Sequence, residues 1–336
     1  MIRVAIVGAG RWGINHVRAF ARLPEVTIAA VCDIHPNALL RARTFAPSAR
    51  SVHTLEEVLA APDIDAVVLA TPARTHAPMA EAVLRAGKHL LVEKPLALTV
   101  ADAERVVQIA ADVERILMVG HLMLYHPVVH HMRRVIESGE LGTIHYLYAL
   151  RVNLGIVRRD ENAMWSLAPH DLSTILHLTG DIPKSVTARG GAYLQPDVAD
   201  VVFLNLRFQS GVVAQIQTSW LDPRKERRLT VVGSKKMMEM NDVSPRSKLQ
   251  IFDKGVVPPA LDFSEYAEFL TLRNGEVTSP EIVMEEPLSV ECRHFIHCIH
   301  HNEVPLTSGA AAVPVIRILE AAQTSLERDG VPIAIQ

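Results

Sequence analysis

Cysteine is scarce: three in 336 residues, Cys32, Cys292 and Cys298, an odd number with no CxxC spacing. That excludes a disulfide scaffold and fits a reducing compartment. Charge of one sign is also lacking, because 34 Lys plus Arg stand against 37 Asp plus Glu, for a formal charge of −3. Such a chain has no global field to draw nucleic acid or a membrane surface, so any anion site must be local. No apolar run approaches the ~18–20 residues of a membrane span; the longest, residues 116–124, is interrupted by His121. The first apolar segment runs into a glycine-rich turn rather than a small-residue cleavage site, so no secretion signal is read there and a cytoplasmic location is expected. Internal repeats and low-complexity segments are missing too.

What is present has two textures. Up to about residue 120, short β-branched runs (3–7, 26–32, 66–70, 89–92 and 116–119) alternate with amphipathic stretches near 14–23, 36–46, 55–60, 76–86 and 99–113. Nearly continuous apolar strands alternating with helices predict a parallel sheet buried on both faces. Beyond Gly120 a helix at 128–138 is followed by strands at 143–153, 184–193, 200–208, 212–220 and 227–233, several joined by hairpin turns such as Gln209-Ser210-Gly211. The expected fold class is α/β: an N-terminal Rossmann, doubly wound parallel sheet over residues 1–121, then an α+β domain with a large, mostly antiparallel open sheet over 122–336. Two domains also suit the length, at about 100–200 residues each.

The first strand delivers Gly8-Ala9-Gly10-Arg11-Trp12-Gly13, a GxGxxG at a strand-to-helix turn, and Asp33 follows Gly13 by 20 positions at the end of the second strand. Gly8 permits the tight turn, Gly10 lets backbone approach a pyrophosphate, Gly13 lets helix and strand pack, and the helix N-terminus favours the anion. Asp33 suits the adenine-ribose hydroxyls and repels a 2′-phosphate; Ile34 and His35, not an arginine, come next. NAD is therefore expected over NADP, with Arg11 the loop side chain able to meet a phosphate.

At the end of the fourth apolar strand stands Glu93-Lys94-Pro95, at the carboxyl edge where open α/β sheets bind ligands. Together with the glycine motif, Asp33, Ala70-Thr71-Pro72 and the following His76, it resembles the glucose-fructose oxidoreductase, inositol dehydrogenase and rhizopine-catabolism (Gfo/Idh/MocA) family. The resemblance spans the chain, through Gly120-His121, Tyr125-x-Pro127, residues 138–142 and the run from Pro169-His170-Asp171-Leu172 to Gly180. It implies that Thr71, Pro72, His76, Glu93, Lys94 and His121 border the cofactor, that Lys94 and His170 are catalytic, and that the second domain's sheet makes a homodimer or homotetramer. Ala168-Pro169 ahead of an apolar-periodic run predicts His170 in the first turn of a helix, where the dipole disfavours imidazolium.

Two positions depart from many relatives: Ser166 stands where they carry an aspartate, and Leu124 where they carry an arginine ahead of Tyr125. Simple polyol or inositol oxidation is weakened accordingly. The run from Arg151 to Asp171 is similar to a narrower branch, nucleotide-sugar 3-dehydrogenases, which oxidise C3 of UDP-N-acetylglucosamine or its uronic acid ahead of an aminotransferase. In that reading Arg158 and Arg159 neutralise a diphosphate, Asn153 and Asn162 read hydroxyl or acetamido groups, Trp165 offers a flat face to a sugar ring, and Tyr125, Lys94 and His170 complete the substrate contacts. A free sugar, polyol or inositol dehydrogenase is the alternative enzyme; a non-catalytic regulator of the same fold is the alternative of another class.

Other clusters are read as structural. Cys292, His294, His297, Cys298, His300 and His301 lack a regular zinc spacing and share a helix with apolar residues, so no metal is expected. His126, His130 and His131 are read as a solvated or interface face, and residues 224–228 as a surface charge run.

Overall fold

The computed structural model describes residues 1–155, 157–257 and 271–335; Ile156, within the Arg151–Asp171 run, lies outside them. Two compact units result, Met1–His126 with Glu285–Glu320, and Pro127–Met284 with Ala321–Gln336.

The first unit begins β1 (Ile2–Val7), α1 (Gly13–Phe20), β2 (Val26–Cys32), α2 (Pro36–Ala42), β3 (Arg50–Val52), α3 (Leu55–Leu59), β4 (Ala66–Leu69), α4 (His76–Arg85), β5 (His89–Glu93), α5 (Val100–Asp112) and β6 (Leu117–Gly120). Its sheet is six-stranded, ordered β3-β2-β1-β4-β5-β6, and every pairing is parallel. The chain order reverses between β1 and β4, which opens a crevice at the carboxyl ends of those two strands. Alternate residues feed opposite cores. Ala5, Val7, Val67, Leu69, Leu90 and Val92 pack on one side, and Val4, Ile6, Ala66, Val68, Leu91 and Met118 on the other. Both faces being covered explains why these strands read as unbroken apolar runs. Local capping agrees with the layout: Thr54 and Glu57 form a reciprocal capping box at α3, and Thr99 accepts from the Asp102 N–H at α5.

The second unit holds α6 (Pro127–Glu137), β7 (Ile144–Leu154), α7 (Ala163–Thr179), β8 (Pro183–Gly191), β9 (Val201–Phe208), β10 (Val213–Ser219), β11 (Leu221–Gly233), β12 (Met237–Asn241), β13 (Leu249–Val257) and β14 (Thr271–Thr278). With β15 (Ile333–Ala334) they form a nine-stranded sheet, β14-β13-β12-β11-β7-β10-β9-β8-β15, in which β7 and β10 alone run parallel. The hairpin expected at residues 209–211 joins β9 to β10, with Gly211 at φ +89° where a side chain would be strained. Val202, Leu204, Leu206 and Phe208 are buried, whereas Phe203 and Tyr146 are exposed, so the sheet has one covered and one open face. The covered face packs on α7, which buries Leu172, Ile175 and Leu178.

The boundaries differ from the 121/122 division in one physical respect. After β14 the chain forms α8 (Pro287–His301) and α9 (Gly309–Glu327), and most of this segment belongs to the first unit. Leu288, Cys292, Phe295 and Ile296 of α8 join the core that holds α1 and α2, while Ala312, Val313 and Ile316 of α9 join the core that holds α4 and α5. Periodicity marks such helices as amphipathic but does not say which sheet they cover.

Candidate active site

The glycine turn is shaped by crowding. Gly8 sits at φ +88°, and a Cβ there would stand 2.6 Å from the Ala70 carbonyl oxygen; a Cβ on Gly13 would stand 1.7 Å from the Gly8 carbonyl oxygen. The close approach of β1, β4 and α1 therefore requires both glycines. Gly10 is different, since a Cβ there would meet no atom within 4 Å. Its space is open, as a backbone that receives a ligand needs. Trp12 precedes α1 without a side-chain cap; the Ile14 N–H donates to the Gly10 carbonyl at 3.2 Å and the Asn15 N–H to the Trp12 carbonyl at 2.8 Å. This cradle fits a dinucleotide pyrophosphate.

Asp33 also fits, with an added task. One carboxylate oxygen accepts from the Ala9 N–H at 2.7 Å and the other from the His35 N–H at 2.8 Å. A carboxylate has about four acceptor positions, so two remain for vicinal ribose hydroxyls. Ile34 is exposed beside it. Asp33 thus latches the glycine turn to the end of β2 and keeps acceptor capacity to spare. Asp33→Ala should raise the Kd for NAD at least about tenfold, or 1.4 kcal/mol, and narrow the preference for NAD over NADP. Calorimetric titration with both nucleotides checks this; unchanged affinity and preference would remove Asp33 from the site.

At the end of β5, Glu93 is a hub. Its Oε1 lies 2.7 Å from His16 Nε2 and also accepts from Trp12 Nε1, while Oε2 is 3.3 Å from the Lys94 N–H. A Cβ on Gly120 would stand 3.1 Å from this carboxylate, so a side chain there would make Glu93 give way by a few tenths of an ångström. Burial opposes the charge on Glu93, but the hydrogen bond and charge of His16, then Trp12 and Lys94, outweigh it and hold the carboxyl below its usual range. Lys94 and Pro95 are joined by a cis peptide bond. His76, buried at the start of α4, spans the Pro95 carbonyl (Nδ1, 2.7 Å) and the Thr71 carbonyl (Nε2, 2.8 Å). It ties the Thr71-Pro72 turn to the Lys94-Pro95 turn. His121 is buried as well, and its pKa is pulled down to about 4, first by burial and then by the charge of Lys94.

In the second unit, α7 begins at Ala163, not near Pro169. Asn162 is its N-cap, accepting from the Trp165 N–H at 3.1 Å, and Pro169 lies inside the helix. His170 is therefore mid-helix, which corrects the first-turn expectation and removes the dipole argument made from it. Its carbonyl accepts from the hydroxyls of Ser173 (3.0 Å) and Thr174 (2.8 Å). The neighbouring Asp171 takes a two-point ion pair from Arg151 of β7, Nε to Oδ2 at 2.7 Å and Nη2 to Oδ1 at 2.9 Å, with both side chains buried.

The other expected substrate contacts are divided between the two units. Trp165 is 8% exposed and its Nε1 donates to Gln323 Oε1 at 3.2 Å, so it has no open face in this unit for a sugar. Asn162 is engaged at the cap, and its amide nitrogen donates to the same Gln323 oxygen at 2.9 Å. Tyr125 is buried in the first unit, with its hydroxyl 3.1 Å from the Thr307 hydroxyl and its pKa raised by burial. Asn153 keeps partial exposure near the end of β7. Arg158 and Arg159 are exposed ahead of α7; Arg158 pairs with Glu161 at 3.0 Å. On α8, His294 Nε2 accepts from the Leu306 N–H at 3.0 Å, and His297 Nε2 lies 3.2 Å from Glu303 Oε2. Arg11 lies exposed in the glycine turn. Among the described residues no helix is long and apolar enough to cross a membrane.

His16, Glu291 and the Arg151–Asp171 pair were missed by sequence reading. Trp12 and His16 stand at i,i+4, a spacing that puts two side chains on one helix face and is the signal that finds the first of them.

Comparison with known proteins gives one consistent grouping. Residues 2–121 match the model described as the oxidoreductase family, NAD-binding Rossmann fold, and residues 129–239 match the GFO/IDH/MocA C-terminal domain. An inositol 2-dehydrogenase of Rhizobium meliloti is 30% identical over 78% of this chain and 82% of its own. The UDP-N-acetylglucosamine 3-dehydrogenase of Acidithiobacillus ferrooxidans is 28% identical over 94% of each chain, and its structure superposes with a TM-score of 0.82 at 24% identity, covering 97% of this chain and 98% of that one. GenD2 from gentamicin A biosynthesis, solved in complex with NAD, superposes with a TM-score of 0.83 at 24% identity over 100% of this chain and 96% of that one.

Proposed function

Because the chain belongs to the Gfo/Idh/MocA family of NAD-binding oxidoreductases, we propose that its reaction is oxidation of the C3 hydroxyl of a UDP-N-acetylated hexosamine, or of the corresponding uronic acid, to the 3-keto sugar. The observation that carries this reading is the match to a UDP-N-acetylglucosamine 3-dehydrogenase across 94% of both chains. Ser166, buried in α7, brings no carboxylate to a polyol hydroxyl, which supports the same choice.

Gly8, Gly10, Gly13 and Asp33 hold NAD, which supplies the hydride acceptor when bound. Lys94 donates a hydrogen bond to the C3 oxygen and stabilises developing alkoxide, and His170 takes the hydroxyl proton. Arg158 and Arg159, exposed on the segment that leads into α7, neutralise the diphosphate of the sugar nucleotide. Assembly as a homodimer or homotetramer through the open face of the nine-stranded sheet, and transfer of the ketone to an aminotransferase, belong to the same reading.

The test is NADH formation, followed by absorbance, with UDP-N-acetylglucosamine, its uronic acid and myo-inositol side by side. An NAD-recycling partner is included because oxidation to the ketone is uphill. Turnover of a UDP-sugar well above that of inositol is expected. The reverse order would favour the second reading, an inositol or free-polyol dehydrogenase, which the 30% identity to an inositol 2-dehydrogenase supports. NAD binding with no reduction on any substrate would instead indicate a regulator.

A further inference from the structure

Beneath the glycine turn lies a row of buried polar groups drawn from three elements. His16 of α1 is fully buried, with Nε2 2.7 Å from Glu93 Oε1 and Nδ1 3.9 Å from the Sγ of Cys292 on α8. Trp12 Nε1 donates to the same Glu93 oxygen, and the rings of Trp12 and His16 meet edge to face with centroids 6.4 Å apart. An ionised carboxylate can only accept, so the His16 hydrogen facing Glu93 is on Nε2. The thiol of Cys292 is pushed well up, first by burial, and keeps its proton.

One neighbour could compete for this arrangement. Glu291, adjacent to Cys292, is fully buried, and neither of its carboxyl oxygens has a hydrogen-bond partner among the described residues. Burial, then the charge of Glu93, holds its carboxyl well above the usual range. Two carboxyls buried in one region do not both ionise, and the one with donors keeps the charge. Glu93 has those donors. The negative charge therefore stays where Trp12 and His16 converge.

Trp12 is a residue of the glycine turn and Lys94 follows Glu93 directly, so whatever fixes the Glu93 carboxylate fixes both walls of the coenzyme site. We propose that His16 is a positioning residue for NAD: by donating from Nε2 it orients the Glu93 carboxylate, which in turn holds Trp12 and the backbone of Lys94 in place. The proposal rests on the coenzyme site alone and is independent of which sugar is oxidised.

The residue can be divided chemically. Glutamine places an amide donor about where Nε2 stands, and asparagine places one about where Nδ1 stands. NAD affinity is measured by calorimetry, alongside the melting temperature and Trp12 emission, for His16→Leu, His16→Gln and His16→Asn. His16→Leu is expected to weaken NAD about tenfold and to shift Trp12 emission to the red as its indole N–H turns to water; a Trp12→Phe background should lack that shift. His16→Gln should restore affinity to within about threefold of wild type, whereas His16→Asn should not. Wild-type affinity in a folded His16→Leu, or equal affinity in the glutamine and asparagine variants, would overturn the proposal. The second comparison decides the matter even if the leucine variant does not fold.

Discussion

His170→Ala is expected to lower turnover by about 10²–10⁴-fold, the usual contribution of a positioned general base, with the NAD affinity within about twofold of wild type. The helix should survive the change. His170 is mid-helix, alanine is the best helix former, and the Ser173 and Thr174 hydroxyls reach the residue's carbonyl rather than its ring. The loss can therefore be assigned to the missing imidazole and not to unfolding, once an unchanged melting temperature has been recorded. Lys94→Ala should cost a comparable factor, because the ammonium that meets the reacting oxygen is gone while Gly8, Gly13 and Asp33 remain. The two variants differ in their pH profiles: removing a base removes the acidic limb of kcat/KM, and removing a hydrogen-bond donor leaves that limb in place. Wild-type turnover by His170→Ala would show the base assignment to be wrong.

The coenzyme half of this picture was legible because its constraints are local. Gly13 is demanded by the Gly8 carbonyl within a single turn, Gly8 takes a positive φ there, and the spacing to Asp33 is fixed by one strand–helix–strand passage. The substrate half was harder to read. Proline near a helix start is common, so Pro169 points to a helix opening there, yet the asparagine seven positions earlier is the stronger signal, since its side chain caps the Trp165 N–H. Trp165 offered a flat ring in sequence and a buried one in structure, because its partner Gln323 lies on the last long helix and no local pattern announces that contact. The same limit hid the return of α8 to the first unit. Its apolar stripe is visible, but Phe295 and Cys292 reveal their partners only once the chain has come back to α1. Pairings across hundreds of residues leave a periodic trace without an address.

The largest stability effect is expected at the Arg151–Asp171 pair. Burial opposes the charge on Arg151, yet the Asp171 carboxylate more than offsets it and raises the guanidinium pKa above its usual value. Removing one partner strands the other as a buried charge, so Arg151→Ala should destabilise by about 3–5 kcal/mol, a drop of roughly 6–20 °C in melting temperature for a domain of this size. β7 lies between β10 and β11 in the nine-stranded sheet, so the pair fastens the centre of that sheet to α7 one residue from His170. Stability and orientation can be separated by replacing both partners at once. Arg151→Met with Asp171→Leu leaves no unpaired charge and should recover most of the lost melting temperature, because apolar replacements of buried ion pairs are often neutral. If the pair also holds His170 in register, turnover of the double variant stays depressed although its melting temperature returns. If both return together, the ion pair is a stability device only, and the orientation of His170 comes from the packing of Leu172 and Ile175 on the sheet.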